Sequence, residues 1–287
     1  MEDLEDEAQY GALPFDYYVI EHWPEGIKES PQKWEQLAWK YQELSLIARF
    51  VWLPTRLLSC DFILIFNQSY HDRAHMVLAQ INSSGFTEEQ IEILNTHQSI
   101  HERNICASQA GSMQTVWLRT CYDKDLSEKY EDMKAEGTIE ADIGSNRYLD
   151  DSSRYAFDDG TPDHWRQVLT RVPGITDLMG IDEERGFLEY RSCQNIDEVR
   201  AQCEELENEE DRSLALKELE FQVVVYLLDR EAIETGLIKM LWLDEHSCCI
   251  WDNRIHPDTV EWLAVAFLGA TRLSEMNSSG RGSLITQ

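Results

Sequence analysis

The chain has 287 residues, and its 54 acidic side chains against 25 basic ones give a formal net charge of −29. A surface this negative repels nucleic-acid phosphates and anionic membranes, so we expect neither as a partner, and it attracts cationic groups. The length allows one large domain or two ordinary ones, and 43% hydrophobic residues supply a buried core. Seven cysteines without a CxxC pair are typical of a reducing compartment, which predicts a cytoplasmic protein. The oligomeric state stays open.

The first part of the chain has the apolar period of helices. Ser30 and Pro31 have the residue types of an N-cap and a first helical position, which predicts a helix over 30–52. Thr87 and Gln90 have the spacing of a capping box, which predicts that another helix begins there. The predicted helices are a short aromatic one at 14–25 ending at Pro24, then 30–52, 57–81 and 87–108.

The signal changes after residue 112 to β-branched and aromatic runs of strand length. Residues 221–229, FQVVVYLLD, form a continuous apolar run, as expected of a strand covered on both faces. Residues 138–192 are rich in polar residues and predict mostly loops with a short helix near 162–170, and whether they are ordered stays open. The other predicted elements are a strand at 114–120, a polar helix ending at Gly137, one or two acidic helices over 195–220, a helical turn closed by Gly236, a hairpin over 237–254 and a final helix from 256.

These elements predict an α+β protein, with a helical N-terminal bundle followed by an α/β part built around a small mixed sheet. The predicted domains are the bundle at 1–110 and the α/β domain at 111–277, followed by a disordered tail at 278–287. The apolar run 44–66 contains Arg49, Pro54 and Asp61, so we interpret it as two buried helices rather than a membrane span.

Two segments carry resemblances. The pieces VWLRTCYDKD (116–125) and VYLLDREAIETGLIKMLWLDEHSCCIWDNRIHPDTVE (225–261) resemble an uncharacterised α/β domain family of unknown function, which pairs an early strand with a late strand, short acidic helix, strand, turn and strand. The segment LPFDYYVIEHWPEGIKES is similar to a helical segment of fungal multidomain proteins of the ankyrin type. These resemblances imply a fungal intracellular protein and transfer no catalytic residue.

Four of the eight histidines form two HxxxH pairs, His71 with His75 and His97 with His101. Residues four apart share a helix face, so both imidazoles of a pair could reach one ion. On two antiparallel helices joined near 82–87, His71 and His97 fall at one level. The pairs therefore predict a Zn or Fe site, and the alternative is four packed histidines in a chain without a cofactor. Three carboxylates are candidate oxygen ligands: Asp72, Glu92 and Glu102.

Two further stretches could carry chemistry. LDDSSRYAFDDG (149–160) offers four aspartates for Ca²⁺ or Mg²⁺ but lacks the DxDxDG spacing. DEHSCCIWDNRIH (244–256) brings His246, Cys248 and Cys249 close in sequence, as a Cys–His nucleophile pair needs, although a plain hairpin explains the same residues. The sequence contains no complete nucleotide-binding or hydrolase motif.

Three functional hypotheses remain, and the sequence assigns no catalytic residue under any of them. The first is a non-catalytic interaction or regulatory module whose acidic surface meets a basic protein partner. The second is a metal-dependent enzyme or metalloprotein that uses the four paired histidines. The third is a cofactor-free cyclase or isomerase, with an aromatic pocket formed by Trp34, Tyr41 and Trp52.

Overall fold

The computed structural model describes residues 14–45, 48–49, 86–111, 115–135, 147–158, 161, 163–177, 196–260 and 263. These residues form two compact units. Unit 1 is drawn from residues 1–113, 166–180 and 245–247, and unit 2 from residues 114–165, 181–244 and 248–287. Residues 166–180 and 245–247 join unit 1 through long-range contacts, which local sequence patterns do not predict.

The helices and strands are numbered here in chain order. The described helices are α1 (Pro14–His22), α2 (Pro31–Gln42), α3 (Glu88–His97), α4 (Ile100–Gly111), α5 (Ser127–Ala135), α6 (Ser152–Tyr155), α7 (Ile196–Glu204), α8 (Glu209–Glu220) and α9 (Arg230–Thr235), with 3₁₀ turns at Lys124–Leu126 and His164–Thr170. The described strands are β1 (Val116–Arg119), β2 (Tyr148–Leu149), β3 (Phe221–Leu228), β4 (Ile238–Asp244) and β5 (Cys249–Ile255).

Unit 1 has an aromatic core between α1, α2 and α3. Phe15 of α1 packs edge-to-face on Trp34 and Tyr41 of α2, with ring centroids 5.3 and 5.0 Å away. Leu94 of α3 and Val19 of α1 are fully buried in the same cluster. The prediction of helices at both 14–25 and 87 onwards is confirmed, and Thr87 and Gln90 form the predicted capping box.

Two helices are shorter than predicted. Helix α2 ends at Gln42, and its N-cap Ser30 makes no side-chain capping bond. The helix predicted over 87–108 is interrupted, because Gln98 is extended and Ser99 starts α4 with a second capping box. The Ser99 amide donates to Glu102 Oε2 at 2.6 Å, and the Glu102 amide donates to Ser99 Oγ at 3.2 Å. The expectation of one continuous helix is therefore wrong.

Unit 2 is built on a five-stranded mixed sheet with strand order β2-β1-β3-β4-β5. Strand β1 is parallel to both β2 and β3, whereas β4 is antiparallel to β3 and to β5. Strands β1, β2, β3 and β5 therefore end at the same edge of the sheet, where β4 begins. We call this the carboxyl edge.

Strand β3 is the centre of the sheet. All eight of its residues are buried, as its continuous apolar sequence predicts for a strand covered on both faces. The predicted hairpin is also confirmed, because β4 and β5 pair in antiparallel register with Trp242 opposite Trp251. Gly236 closes α9 with a left-handed φ of 76°, as predicted. Strand β2 was not predicted, since its two residues are too few to show an alternating pattern.

The molecule is an α+β protein, with helices in the N-terminal part and a small mixed sheet in the C-terminal part, which confirms the predicted fold class. The domain division at 110/111 stays a prediction, and the predicted tail at 278–287 lies outside the described residues. The predicted helix at 57–81 also lies outside them. Within the described ranges, no helix combines the length and the apolar character that crossing a bilayer requires.

Candidate binding cleft

A cleft of about 350 Å³ opens at the carboxyl edge of the sheet in unit 2. Its floor includes Thr120, which follows β1, and Leu227, near the end of β3. The chain leaves β1 towards β2 on one side and leaves β3 towards β4 on the other, so the connections diverge between these parallel neighbours. Such a switch point is where α/β sheets form their ligand crevices. We call this feature the carboxyl-edge cleft.

Charged side chains dominate the lining of the carboxyl-edge cleft. The carboxylates are those of Asp158, Asp163, Asp229, Glu231 and Glu234. The cations are those of Arg230, Lys239 and Arg254. Five carboxylates against three cations leave the described lining with a surplus of negative charge.

Arg254, at the end of β5, is held by two carboxylates from the start of α9. Its Nη1 and Nη2 donate to Asp229 Oδ1 at 2.9 Å and to Asp229 Oδ2 at 2.7 Å. Glu231 Oε2 lies 2.7 Å from the same Nη2. Asp229 also caps α9, because its Oδ1 accepts from the Ala232 amide at 2.8 Å. Asp229 thus joins the ends of β3 and β5 and starts the helix between β3 and β4.

The other two cations of the cleft are also paired. Arg230 contacts Asp123 at 2.7 Å and Glu234 at 3.6 Å. Lys239 lies 3.5 Å from Asp252, across the β4–β5 pair. Because each cation of the cleft is already paired, the remaining carboxylates give the cleft a net negative charge.

The remaining wall comes from residues 157–158, 161 and 163–165, and it is aromatic as well as acidic. Phe157 and His164 lie with ring centroids 5.6 Å apart, and Trp165 is 6% exposed. Asp158 accepts a hydrogen bond from the Arg230 amide. Asp163 has a left-handed φ of 60°, a conformation that Asp adopts more readily than most residues. The Asp163 carboxylate has neither a hydrogen bond nor an ion pair with any described residue.

A second cluster follows β1 and β2 at the same edge. The Arg119 guanidinium lies 3.5 Å from the centre of the Tyr130 ring and 4.4 Å from that of Tyr122. Asp150 accepts from the Tyr130 hydroxyl at 2.7 Å. Because Tyr130 belongs to α5, these contacts fix α5 against the ends of β1 and β2.

The Asp-rich stretch 149–160 is divided between structural and cleft positions. Asp150 receives Tyr130, and Asp151 caps α6 by accepting from the Ser153 amide at 2.8 Å. Asp158 lines the cleft, and residue 159 lies outside the described residues. Binding of Ca²⁺ or Mg²⁺ by this stretch stays a prediction.

Of the four histidines predicted to bind a metal, His71 and His75 lie outside the described residues. His97 ends α3 and His101 lies in α4, so the break at 98–99 removes the single helix that was to bring them to one face. His97 Nε2 donates to the Ile27 carbonyl at 2.8 Å, and its ring stacks on Trp34 at 4.7 Å. These contacts give His97 a packing role.

The predicted Zn or Fe site gains no support from the described histidines. Among the residues the structure describes, no group of three or more His, Cys, Asp or Glu side chains is placed to hold a metal ion. With two of its four ligands outside the described ranges, the site stays a prediction. The candidate oxygen ligands Glu92 and Glu102 serve elsewhere: Glu92 pairs with Lys28 at 2.6 Å, and Glu102 caps α4.

Burial of His97 predicts a pH-dependent stability. Desolvation lowers its pKa below the ordinary value of 6.5. The unfolded chain then binds more protons near that pH than the folded chain does, so the free energy of unfolding falls as the pH drops below about 6.5. We expect urea denaturation between pH 7.5 and 5 to show a larger loss for the wild type than for His97→Gln. Parallel pH profiles would contradict this role of His97.

The predicted aromatic pocket is a packed core where it is described. Trp34 is 3% exposed and Tyr41 is fully buried, and Trp52 lies outside the described residues. Trp34 Nε1 donates to the Thr170 carbonyl at 2.9 Å. A substrate pocket of a cyclase therefore gains no support from these two side chains.

The residues suggested as a Cys–His pair are in different surroundings. His246 belongs to unit 1, where its Nδ1 lies 2.9 Å from the Gln42 carbonyl oxygen. Cys248 and Cys249 belong to unit 2, and both are exposed. A nucleophile role for these cysteines gains no support from the contacts within either unit.

In comparisons with known proteins, no family model, no curated protein and no solved structure matches the chain. The two resemblances described from the sequence therefore stay predictions.

Proposed function

We propose that this protein is a non-catalytic interaction module for a basic partner, and that the carboxyl-edge cleft receives a cationic group of that partner. The observation that carries the proposal is the charge of the cleft. Its three cations are each paired with carboxylates, whereas Asp163 has no such partner among the described residues. A cation entering the cleft would meet this uncompensated charge.

The position and size of the cleft support the proposal. It lies at the switch point between β1 and β3, and its volume is within the range of small-ligand sites. The net charge of −29 provides a long-range field that would raise the rate at which a basic partner arrives.

Calorimetric titration with a defined basic peptide tests this function. The probe is an acetylated, amidated hexapeptide of alternating lysine and glycine, and the same peptide with glutamate is the control ligand. We expect the lysine peptide to bind at low salt and to bind more weakly as NaCl rises from 50 to 300 mM. The glutamate peptide should not bind.

A matched pair of variants locates the binding. Both side chains are exposed: Asp163→Asn removes one charge from the cleft lining, and Glu198→Gln removes one charge from α7. We expect Asp163→Asn to weaken the lysine peptide about five-fold, corresponding to about 1 kcal/mol, and Glu198→Gln to weaken it less than two-fold. Equal effects of the two variants, or no binding at either salt concentration, would contradict the proposal.

A further inference from the structure

The carboxyl-edge cleft has an aromatic component that a purely electrostatic site does not need. Phe157, His164 and Trp165 all line it. Asp158 and Asp163 line the same cleft, so aromatic groups and carboxylates form one lining. Aromatic faces attract cations, most strongly where water is excluded.

The carboxylates of the cleft also favour one kind of cation. Asp229 uses both oxygens on Arg254, which is the bidentate arrangement that a guanidinium requires. Glu231 and Glu234 each have one oxygen near a resident arginine. Asp158 accepts from an amide through one oxygen. What remains is largely single oxygens on separate residues, which attract a compact ammonium charge from several sides but offer a planar guanidinium no free bidentate partner.

A hydrogen-bond donor in the lining of the cleft favours a peptide over a free amine as the ligand. The indole Nε1 of Trp165 is buried and has no hydrogen-bond acceptor among the described residues. Buried polar groups are nearly always satisfied, so a small shift of the Trp165 side chain towards the cleft would let a ligand acceptor complete this donor. The main-chain carbonyls of a peptide offer such acceptors, whereas a simple alkylamine offers none.

The geometry points to a lysine side chain of a peptide segment, bound through its alkylammonium group, as the ligand of the carboxyl-edge cleft. This inference rests on the proposed function and narrows it to one chemical class. Methylation of the ammonium reduces its hydration and enlarges its contact with aromatic faces. The cleft therefore binds trimethyl-lysine at least as well as lysine, and lysine better than arginine.

Calorimetry with four matched pentapeptides tests the inference. The peptides are acetylated and amidated, share glycine and serine flanks, and carry at the centre lysine, trimethyl-lysine, arginine or norleucine. We expect trimethyl-lysine to bind about 2- to 10-fold tighter than lysine, arginine about five-fold weaker than lysine, and norleucine not at all. Butylamine, which lacks the peptide carbonyls, should bind at least five-fold more weakly than the lysine peptide.

Phe157→Leu tests the aromatic contribution. Phe157 is only partly buried, so its replacement is less disruptive than that of Trp165, and thermal unfolding checks that the variant is folded. We expect this variant to lose most of the preference for trimethyl-lysine over lysine. A preference as large as that of the wild type would overturn the inference.

The peptide series also separates the inference from the function it rests on. Arginine bound as tightly as lysine, or butylamine bound as tightly as the peptide, would overturn the inference while leaving a cation-binding cleft. Absence of binding for all three charged peptides would overturn both.

Discussion

Asp177→Asn is expected to lower the free energy of unfolding by about 3–5 kcal/mol, because it leaves a buried arginine without its counter-charge. Arg49 is fully buried in unit 1, and its Nη1 lies 2.8 Å from Asp177 Oδ1. The same guanidinium donates to Thr176 Oγ1 at 3.1 Å and to the carbonyls of Gln42 and Glu245. Tyr41 donates to the other oxygen of Asp177 at 2.5 Å. The ion pair and its hydrogen bonds thus connect the end of α2 with both late segments of unit 1.

The size of this effect follows from burial. Moving a charge out of water costs several kcal/mol, and only its partner and the hydrogen bonds around it offset that cost. Burial also raises the pKa of Tyr41 well above its ordinary value, and the neighbouring Asp177 charge raises it further, so the tyrosine stays a donor. Asparagine keeps an acceptor for Tyr41 but turns its amide group towards the Arg49 guanidinium, so the substitution removes both the counter-charge and the hydrogen bond that Oδ1 accepts.

Two companion variants make this measurement specific. Arg49→Met combined with Asp177→Asn removes both charges, and we expect it to recover at least half of the lost stability. Glu92→Gln breaks an exposed ion pair, in which the side chains of Lys28 and Glu92 are 42% and 64% exposed, and should lower the free energy of unfolding far less than Asp177→Asn does. Urea denaturation of the full chain gives all three values. A loss for Asp177→Asn no larger than that for Glu92→Gln would contradict this account of unit 1.

Asp229→Ala is expected to lower the free energy of unfolding by about 2–4 kcal/mol, the second largest effect after that of Asp177→Asn. The substitution removes the cap of α9, typically about 1 kcal/mol, and both charge-assisted bonds to a half-buried Arg254. Glu231→Ala removes a contact to the same guanidinium at the same 2.7 Å. Since the Glu231 side chain is 63% exposed, we expect that variant to cost less than about 1 kcal/mol.

Comparing Asp229→Ala with Glu231→Ala shows whether the stability loss comes from the specific hydrogen bonds of Asp229 or only from the loss of a negative charge. Both variants remove one negative charge beside Arg254, so a purely electrostatic contribution would give them similar losses. We expect a difference of at least about 1 kcal/mol in the free energy of unfolding, because only Asp229 caps the helix and only Asp229 is bidentate. Indistinguishable unfolding curves would show that the Asp229 contacts do not hold the carboxyl edge together.

Much of the fold follows from local sequence patterns. The continuous apolar run of β3, the hairpin of β4 and β5 and the capping box at Thr87 are each determined by residues close in the chain, and each is observed. The break before α4 was also encoded locally, since Ser99 and Glu102 have the spacing of a capping box. The apolar periodicity alone does not predict this break, because the apolar positions continue through it.

The candidate cleft could not be predicted in the same way. Its residues come together only because β1 pairs with β3, and Val116 lies opposite Val225, more than a hundred residues later. Local patterns do not specify such pairings. Arg49 is a similar case: in the sequence it interrupts an apolar run, and in the structure it is buried against Asp177, 128 residues away. Long-range partners decide whether a charge in an apolar segment is exposed or paired.

We propose that a cationic ligand binds at the carboxyl edge of the sheet rather than anywhere on the acidic surface. Chemical-shift mapping of the ¹⁵N-labelled chain with the trimethyl-lysine pentapeptide tests this claim most directly. We predict that the shifted amides cluster at Asp163–Trp165, Phe157–Asp158 and Asp229–Arg230, and that Asp163→Asn reduces the shifts. Shifts concentrated instead on the acidic helices α7 and α8, and unchanged in Asp163→Asn, would contradict the account.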